Sequence, residues 1–404
     1  MKSLLKTDYI YRIFIIFAFL PLLPNNLKGL PVILLLLCSI YFYMKQGKSA
    51  LSIKHLFITG SLFLILLPSL VYTTHISGID KTLSTRLSLF VIPLAFVLFN
   101  QHRLTPIQYH SVLKYFVLAG FIYAIFLIIF FINSGYYAGK ISHSTLMANV
   151  TYEVYKISQH PIYVSIFLGI SVLFLTFLFI DTKKTIKTII LAIVLVLPML
   201  IVLLTLVRKG ILITLILCLL FIAFKHTKNK IKILIPTVFI IVLGLFALQN
   251  SVIKSRFVEL INLDTYTNLT LENSTSMRTA IYKCALLKIK EAPVFGYGLG
   301  DVQPELNSCY HEKGYLFEDV FIYNSHNQYL SYYLAAGLLG FFTLIALLFF
   351  GFRDALKTKR IAWATLLLFF SLIMLSENIL ERQSGVILFS FLLLFAYNYE
   401  SKSG

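Results

Sequence analysis

Apolar residues in this chain come in blocks long enough to cross a bilayer, and that feature decides most of what it can fold into. A helix needs about 20 mostly apolar residues to span ~30 Å of hydrocarbon. Twelve blocks read as predicted spans: 10–24, 29–44, 56–73, 87–99, 113–133, 162–180, 188–206, 210–224, 233–248, 328–350, 361–376 and 386–398. Only 13% of the residues are charged, against about 25% in a soluble domain, which excludes a soluble enzyme. The fold class is an all-α polytopic membrane protein of about twelve transmembrane helices.

A formal net charge of +18 would suggest a nucleic-acid partner in a soluble chain, but here its distribution follows topology. Lys45, Lys48 and Lys54, then Lys183, Lys184 and Lys187, then Lys225, Lys228, Lys230 and Lys232, then Arg353, Lys357, Lys359 and Arg360 all fall on one side of the span map. Basic residues in short loops mark the cytoplasmic side, so both termini are expected there, the outer face is near charge balance, and no nucleic acid is implied. The opening MKSLLKTDYIYRIF lacks a small-residue cleavage site and reads as a retained first span.

Two outer connections are long, 134–161 and 249–327, and long loops usually carry function. The expected organisation is spans 1–9 over residues 1–248, a polar loop domain at 249–327 capping the outer face, and spans 10–12 with a cytoplasmic tail over 328–404. The loop holds one recognisable helix at about 277–291, ended by Pro293. Cys38 and Cys218 lie in spans, while Cys284 and Cys309 share the loop. A disulfide between the latter two would suit an oxidising compartment, and the sequence leaves it open.

No acidic residue falls inside a span, which disfavours an ion-coupled carrier. Polar candidates cluster at the outer surface instead. Ser325 and Gln328 have capping-box spacing before an apolar run, which predicts Ser325 as the helix cap and His326 in the first turn. The helix dipole there favours the uncharged imidazole, a candidate base; an interfacial polar residue is the alternative. Arg278 opens the loop helix beside Ser274, Thr275 and Ser276 as candidate caps, and free N–H groups with a guanidinium fork suit phosphate. The alternative is a solvated charge. Arg208 and Lys209 form an adjacent cation pair in a tight outer turn, read either as lipid-phosphate anchors or as a hold on a diphosphate. His160, Glu377, Glu381 and Arg382 are weaker candidates for substrate contact, with interfacial anchoring or ion pairing as the alternative. Gly296-Tyr297-Gly298-Leu299-Gly300 follows a helix and not a strand, so it reads as a turn and not a dinucleotide site. Ala336 and Gly340 have the small-xxx-small spacing of close helix packing.

These residues together resemble a known family. SHNQYLSYYLAAGLLGFF at 325–342 is similar to the signature of the O-antigen ligase and O-antigen polymerase superfamily of bacterial membrane glycosyltransferases. RTAIYKCALLKIKEAPVFGYGLGD at 278–301 resembles the segment preceding it, LVRKGIL at 206–212 its arginine hairpin, and HPIYVS at 160–165 its motif entering a middle span; Val207 stands where the family often has Ser. The resemblance implies a metal-independent, inverting glycan transfer at the periplasmic face of the bacterial inner membrane, without a cofactor. The donor would be an undecaprenyl-diphosphate-linked glycan and the acceptor a lipid A core sugar. His326 would be the base and Arg208 and Arg278 the diphosphate ligands, with Lys209, Tyr282, Asn327, His160, Glu381 and Arg382 binding substrate. A polymerase joining carrier-linked repeats, transfer to protein Ser or Thr, and a transporter or flippase are the other readings.

Overall fold

The computed structural model describes residues 2–45, 52–99, 104–154, 157–182, 185–226, 251–267, 269, 274–315 and 323–399, and every regular element among them is helical. Six helices are long and apolar enough to cross a membrane: Asn25–Lys45, Ile79–Phe99, Pro106–Asn133, Pro161–Ile180, Ile186–Leu206 and Gln328–Lys357. A seventh candidate is the pair Ile53–Thr59 and Ser61–Val71, bent by 65°. The blocks expected at 10–24, 361–376 and 386–398 form apolar helices too short for that test, Tyr9–Ala18, Ile361–Ile373 and Gln383–Asn398. The 210–224 block lies on the helix Lys209–His226, and the 233–248 block lies outside the described residues. The span expected to begin at residue 87 belongs to a longer helical stretch that begins at Ile79, because the polar run IDKTLSTR is itself helical.

The chain divides into two compact units. One comprises residues 1–47, 98–254 and 395–404, the other 48–97 and 255–394. In the first, the helices Pro106–Asn133, Pro161–Asp181 and Ile186–Leu206 pack on one another. Phe116 sits between the first two, its ring 4.4 Å from that of Phe167 and 5.1 Å from that of Phe174.

In the second unit, the loop helix runs Ser274–Glu291, so Thr275 and Ser276 lie inside its first turn and not ahead of it. It packs against a second polar helix, Val302–Glu312. Ala280, Ile281, Cys284, Ala285, Leu306, Cys309 and Tyr310 form a small core with Leu334. Cys284 and Cys309 are joined by a disulfide, with Cα atoms 5.7 Å apart and a separation of 25 in sequence. Lys288 ties the same two helices by reaching Glu291 at 3.0 Å and Glu305 at 3.3 Å. Closing a loop of that length is worth about 3 kcal/mol. The Cys284→Ser/Cys309→Ser protein is therefore expected to unfold several degrees below the parent in a thermal melt without reductant, and equal midpoints would remove the bond from the stability account.

The glycine turn has a structural purpose. Asp301 accepts hydrogen bonds from the backbone N–H groups of Thr74 (2.7 Å) and His75 (2.9 Å) and from the Thr74 hydroxyl (2.9 Å). Partial burial would raise the Asp301 carboxyl, but these donors and the His75 ring hold it well below the usual carboxylate range. A side chain at Gly300 would place its Cβ 1.9 Å from the His75 carbonyl oxygen. The helix Gln328–Lys357 is broken at Ala336 and Gly337, where φ/ψ are non-helical. Residues 294–297 enter that break. Tyr297 N–H donates to Leu334 O at 2.8 Å, and Leu338 N–H donates to Val294 O at 3.1 Å. Gly337 has φ +63°, and a Cβ there would lie 1.9 Å from Val294 O. The small residues at 336 and 337 thus admit a backbone segment, where the small-xxx-small spacing suggested a neighbouring helix.

Candidate functional site

His326 lies on a turn that the whole second unit holds in place. Asn327 is the cap of the following helix, its Oδ1 accepting from the N–H groups of Tyr329 (3.0 Å) and Leu330 (3.1 Å). This corrects the capping box expected from Ser325 and Gln328. Gln328 spends its N–H on Met374 O at 2.9 Å and its Oε1 on Leu380 N–H at 2.7 Å. Ser325 is buried, its hydroxyl bonded to Asn327 O at 3.0 Å and to Asn378 Nδ2 at 3.1 Å. Long-range partners outcompete the local pattern, and His326 precedes the cap instead of occupying the first turn. Its φ is +45°, a left-handed conformation that costs a non-glycine residue about 1 kcal/mol or more. The turn is pinned on both sides. His326 N–H donates to Asn324 Oδ1 at 3.1 Å, and the Tyr282 hydroxyl shares its one proton between His326 O and Leu375 O, each at 3.2 Å.

Glu377 joins the two principal candidates. One carboxylate oxygen is bound by the Arg278 guanidinium, and the other lies 3.4 Å from His326 Nδ1. The Glu377 side chain is only 8% exposed, against 28% for Arg278 and 22% for His326. Burial opposes the Arg278 charge, but the adjacent Glu377 carboxylate more than offsets it and holds the guanidinium above its ordinary value. Burial pushes the Tyr282 phenol up; Arg278 pulls it back and Glu377 reinforces the rise. The arrangement is a cation, an anion and an imidazole in series, the pattern that orients a histidine and stabilises the imidazolium formed when it takes a proton.

A second carboxylate anchors the same neighbourhood. Glu381 accepts from Asn324 Nδ2 (2.6 Å) on one oxygen and from Ser331 Oγ (2.6 Å) and Asn378 Nδ2 (2.9 Å) on the other. Arg86 lies 3.6 Å from it, with its own side chain 7% exposed. Arg382 is exposed on the strand-like residue after that turn. The second unit therefore gathers His326, Arg278, Tyr282, Asn327 and Glu381, as the sequence reading grouped them, and adds Arg86 and Asn324, which that reading missed. A signal for Arg86 existed: it is a cation just before an apolar block, on the side that the span map expects to be poor in basic residues.

The other candidates belong to the first unit. Val207 takes φ +46° at the end of the helix Ile186–Leu206, which turns the chain sharply into Arg208. The Arg208 carbonyl accepts from the N–H groups of Ile211 (2.9 Å) and Leu212 (3.0 Å), so Arg208 caps the helix that Lys209 begins. His160 caps the helix Pro161–Asp181, its Nδ1 accepting from Ile162 N–H at 3.4 Å. That hydrogen bond gives His160 a structural duty.

Residues 191–345 match the family model described as O-antigen ligase. That region contains Arg208, Arg278, Tyr282, His326 and Asn327, whereas Arg86, Glu377 and Glu381 lie outside it. A comparison with curated proteins found no significant match.

Proposed function

We propose, from the match of residues 191–345 to the O-antigen ligase family model, that the chain belongs to the O-antigen ligase and polymerase superfamily and acts as an O-antigen ligase. It moves a glycan from undecaprenyl diphosphate to a hydroxyl of a lipid A core sugar, at the periplasmic face of the inner membrane. The observation that carries this reading is the chain Arg278–Glu377–His326.

The acceptor oxygen attacks the anomeric carbon, the bond from that carbon to the diphosphate oxygen breaks, and the electron pair leaves with the diphosphate. His326 takes the acceptor proton. Attack on the face opposite the leaving group inverts the anomeric centre. A diphosphate already leaves well, so the protein chiefly supplies one base and positive charge for the developing anion. Arg278 keeps part of its guanidinium beyond Glu377, and its planar fork suits phosphate oxygens. Arg208 and Lys209 are assigned further charge neutralisation on the strength of the sequence resemblance. Tyr282 and Asn327 fix the His326 turn, and Glu381 orders the residues behind it.

Deleting the gene and resolving the host's lipopolysaccharide on a gel tests this assignment. Bare core, with long glycan left on the carrier, is the expected result. Core bearing a single repeat would make the protein a polymerase, and an unchanged profile would end both readings.

A further inference from the structure

The polar helix Ile79–Arg86 brings a cation into a site of its own. Arg86 is buried, and among the described residues its Nε has no hydrogen-bond partner. Burying a guanidinium is costly unless its charge and its donors are satisfied. Glu381 meets the charge at 3.6 Å, beyond hydrogen-bond length, and already accepts three hydrogen bonds from Asn324, Ser331 and Asn378. The carboxylate thus compensates Arg86 without consuming its donors.

Arg86 lines a cavity of about 260 Å³. Lys81, Thr82 and Thr85 line it from the same helix, since spacings of four residues put 81 with 85 and 82 with 86 on one face. The threonine hydroxyls donate to Gly78 O and Lys81 O, which leaves their oxygens able to accept. Gln303 and Asn324 add amides, and Leu299 and Val302 add an apolar wall. The volume lies below the roughly 300–1,000 Å³ of pockets for drug-sized ligands, which fits a single ring. Two cations, one engaged carboxylate, hydroxyl and amide partners and an apolar strip match a sugar that bears a negative charge.

We propose that this cavity is a subsite for one anionic saccharide unit, with its carboxylate or phosphate on Arg86 and Lys81 and its hydroxyls on the threonine and amide groups. It communicates with the histidine turn through Asn324, which accepts from His326 N–H and donates to Glu381. The identity of the unit as part of a transferred glycan rests on the ligase reading; the binding itself does not.

The test uses the purified full-length protein and thermal unfolding with glucuronate, glucose 1-phosphate, glucose or inorganic phosphate, each at 10-fold steps up to tens of millimolar. A ligand that binds only the folded state raises the midpoint. Glucuronate and glucose 1-phosphate are expected to raise it by about 2–4 °C, and neutral glucose to leave it in place. Arg86→Gln should abolish the shift and His326→Ala should keep it. Where Arg86→Gln fails to accumulate, the exposed rim variant Lys81→Gln carries the test and should at least halve the response. Equal shifts with glucose, full shifts in both cation variants, or inorganic phosphate matching glucose 1-phosphate would each overturn the proposal. An unchanged lipopolysaccharide profile after gene deletion would reject the ligase reading and leave this binding result standing.

Discussion

Replacing His326 with alanine is expected to abolish surface glycan while the protein stays inserted and abundant. A positioned general base contributes about 10²- to 10⁴-fold. Stability should change little. The ring is partly exposed, its neighbours hold the turn through the backbone of residue 326, and alanine retains that backbone at the same left-handed cost. The measurement is glycan display in a deletion strain carrying the variant, paired with membrane abundance of the protein. Full display at normal abundance would remove His326 from the mechanism.

Glu377→Gln should be nearly as damaging, for a different reason. Glu377 touches neither donor nor acceptor in the proposed reaction and acts as a positioning residue, holding the imidazole and stabilising the cation that it becomes. Loss of that charge is expected to lower kcat by about 10⁴-fold, as for triad carboxylates, with KM nearly unchanged. Glu377→Asp should recover part of kcat. The substitution also leaves the half-buried Arg278 beside a neutral amide, so abundance needs a control. Arg278→Gln with Glu377→Gln removes both charges and should restore abundance without restoring turnover. Full kcat in Glu377→Gln, or a loss confined to KM, would reduce the ion pair to a structural bond.

Seven of the twelve expected spans, counting the bent pair, were legible because lipid imposes a length and a polarity that show in a linear string. The loop helix was legible for the same kind of reason: Pro293 and the polar run bound it, and Ser274–Glu291 starts three residues ahead of the expected 277. What escaped was decided by distant partners. Ser325 and Gln328 carry a capping-box spacing, yet Met374 and Leu380 claim Gln328 and Asn327 takes the cap. Arg86 was passed over because a polar octapeptide before an apolar block looks like a connection, and only tertiary packing turns it into the wall of a cavity. Glu377 could be noticed as an outer acid, but its place between Arg278 and His326 depends on residues about 99 and 51 positions away.

The break at Ala336–Gly337 has a mechanical consequence. Inside a bilayer, exposed peptide groups have no water to turn to, and here the Val294–Tyr297 strip closes the severed ladder on both sides of the gap. Peeling that strip away would deprive Leu334 O and Leu338 N–H of these partners, at several kcal/mol for each group that lies in hydrocarbon. The region that carries Arg278 is therefore stitched to the rod that carries His326, and the pair should travel as one rigid body. On the proposed ligase reading, a gate for a lipid-tethered sugar would hinge elsewhere and leave the Arg278–His326 spacing unchanged.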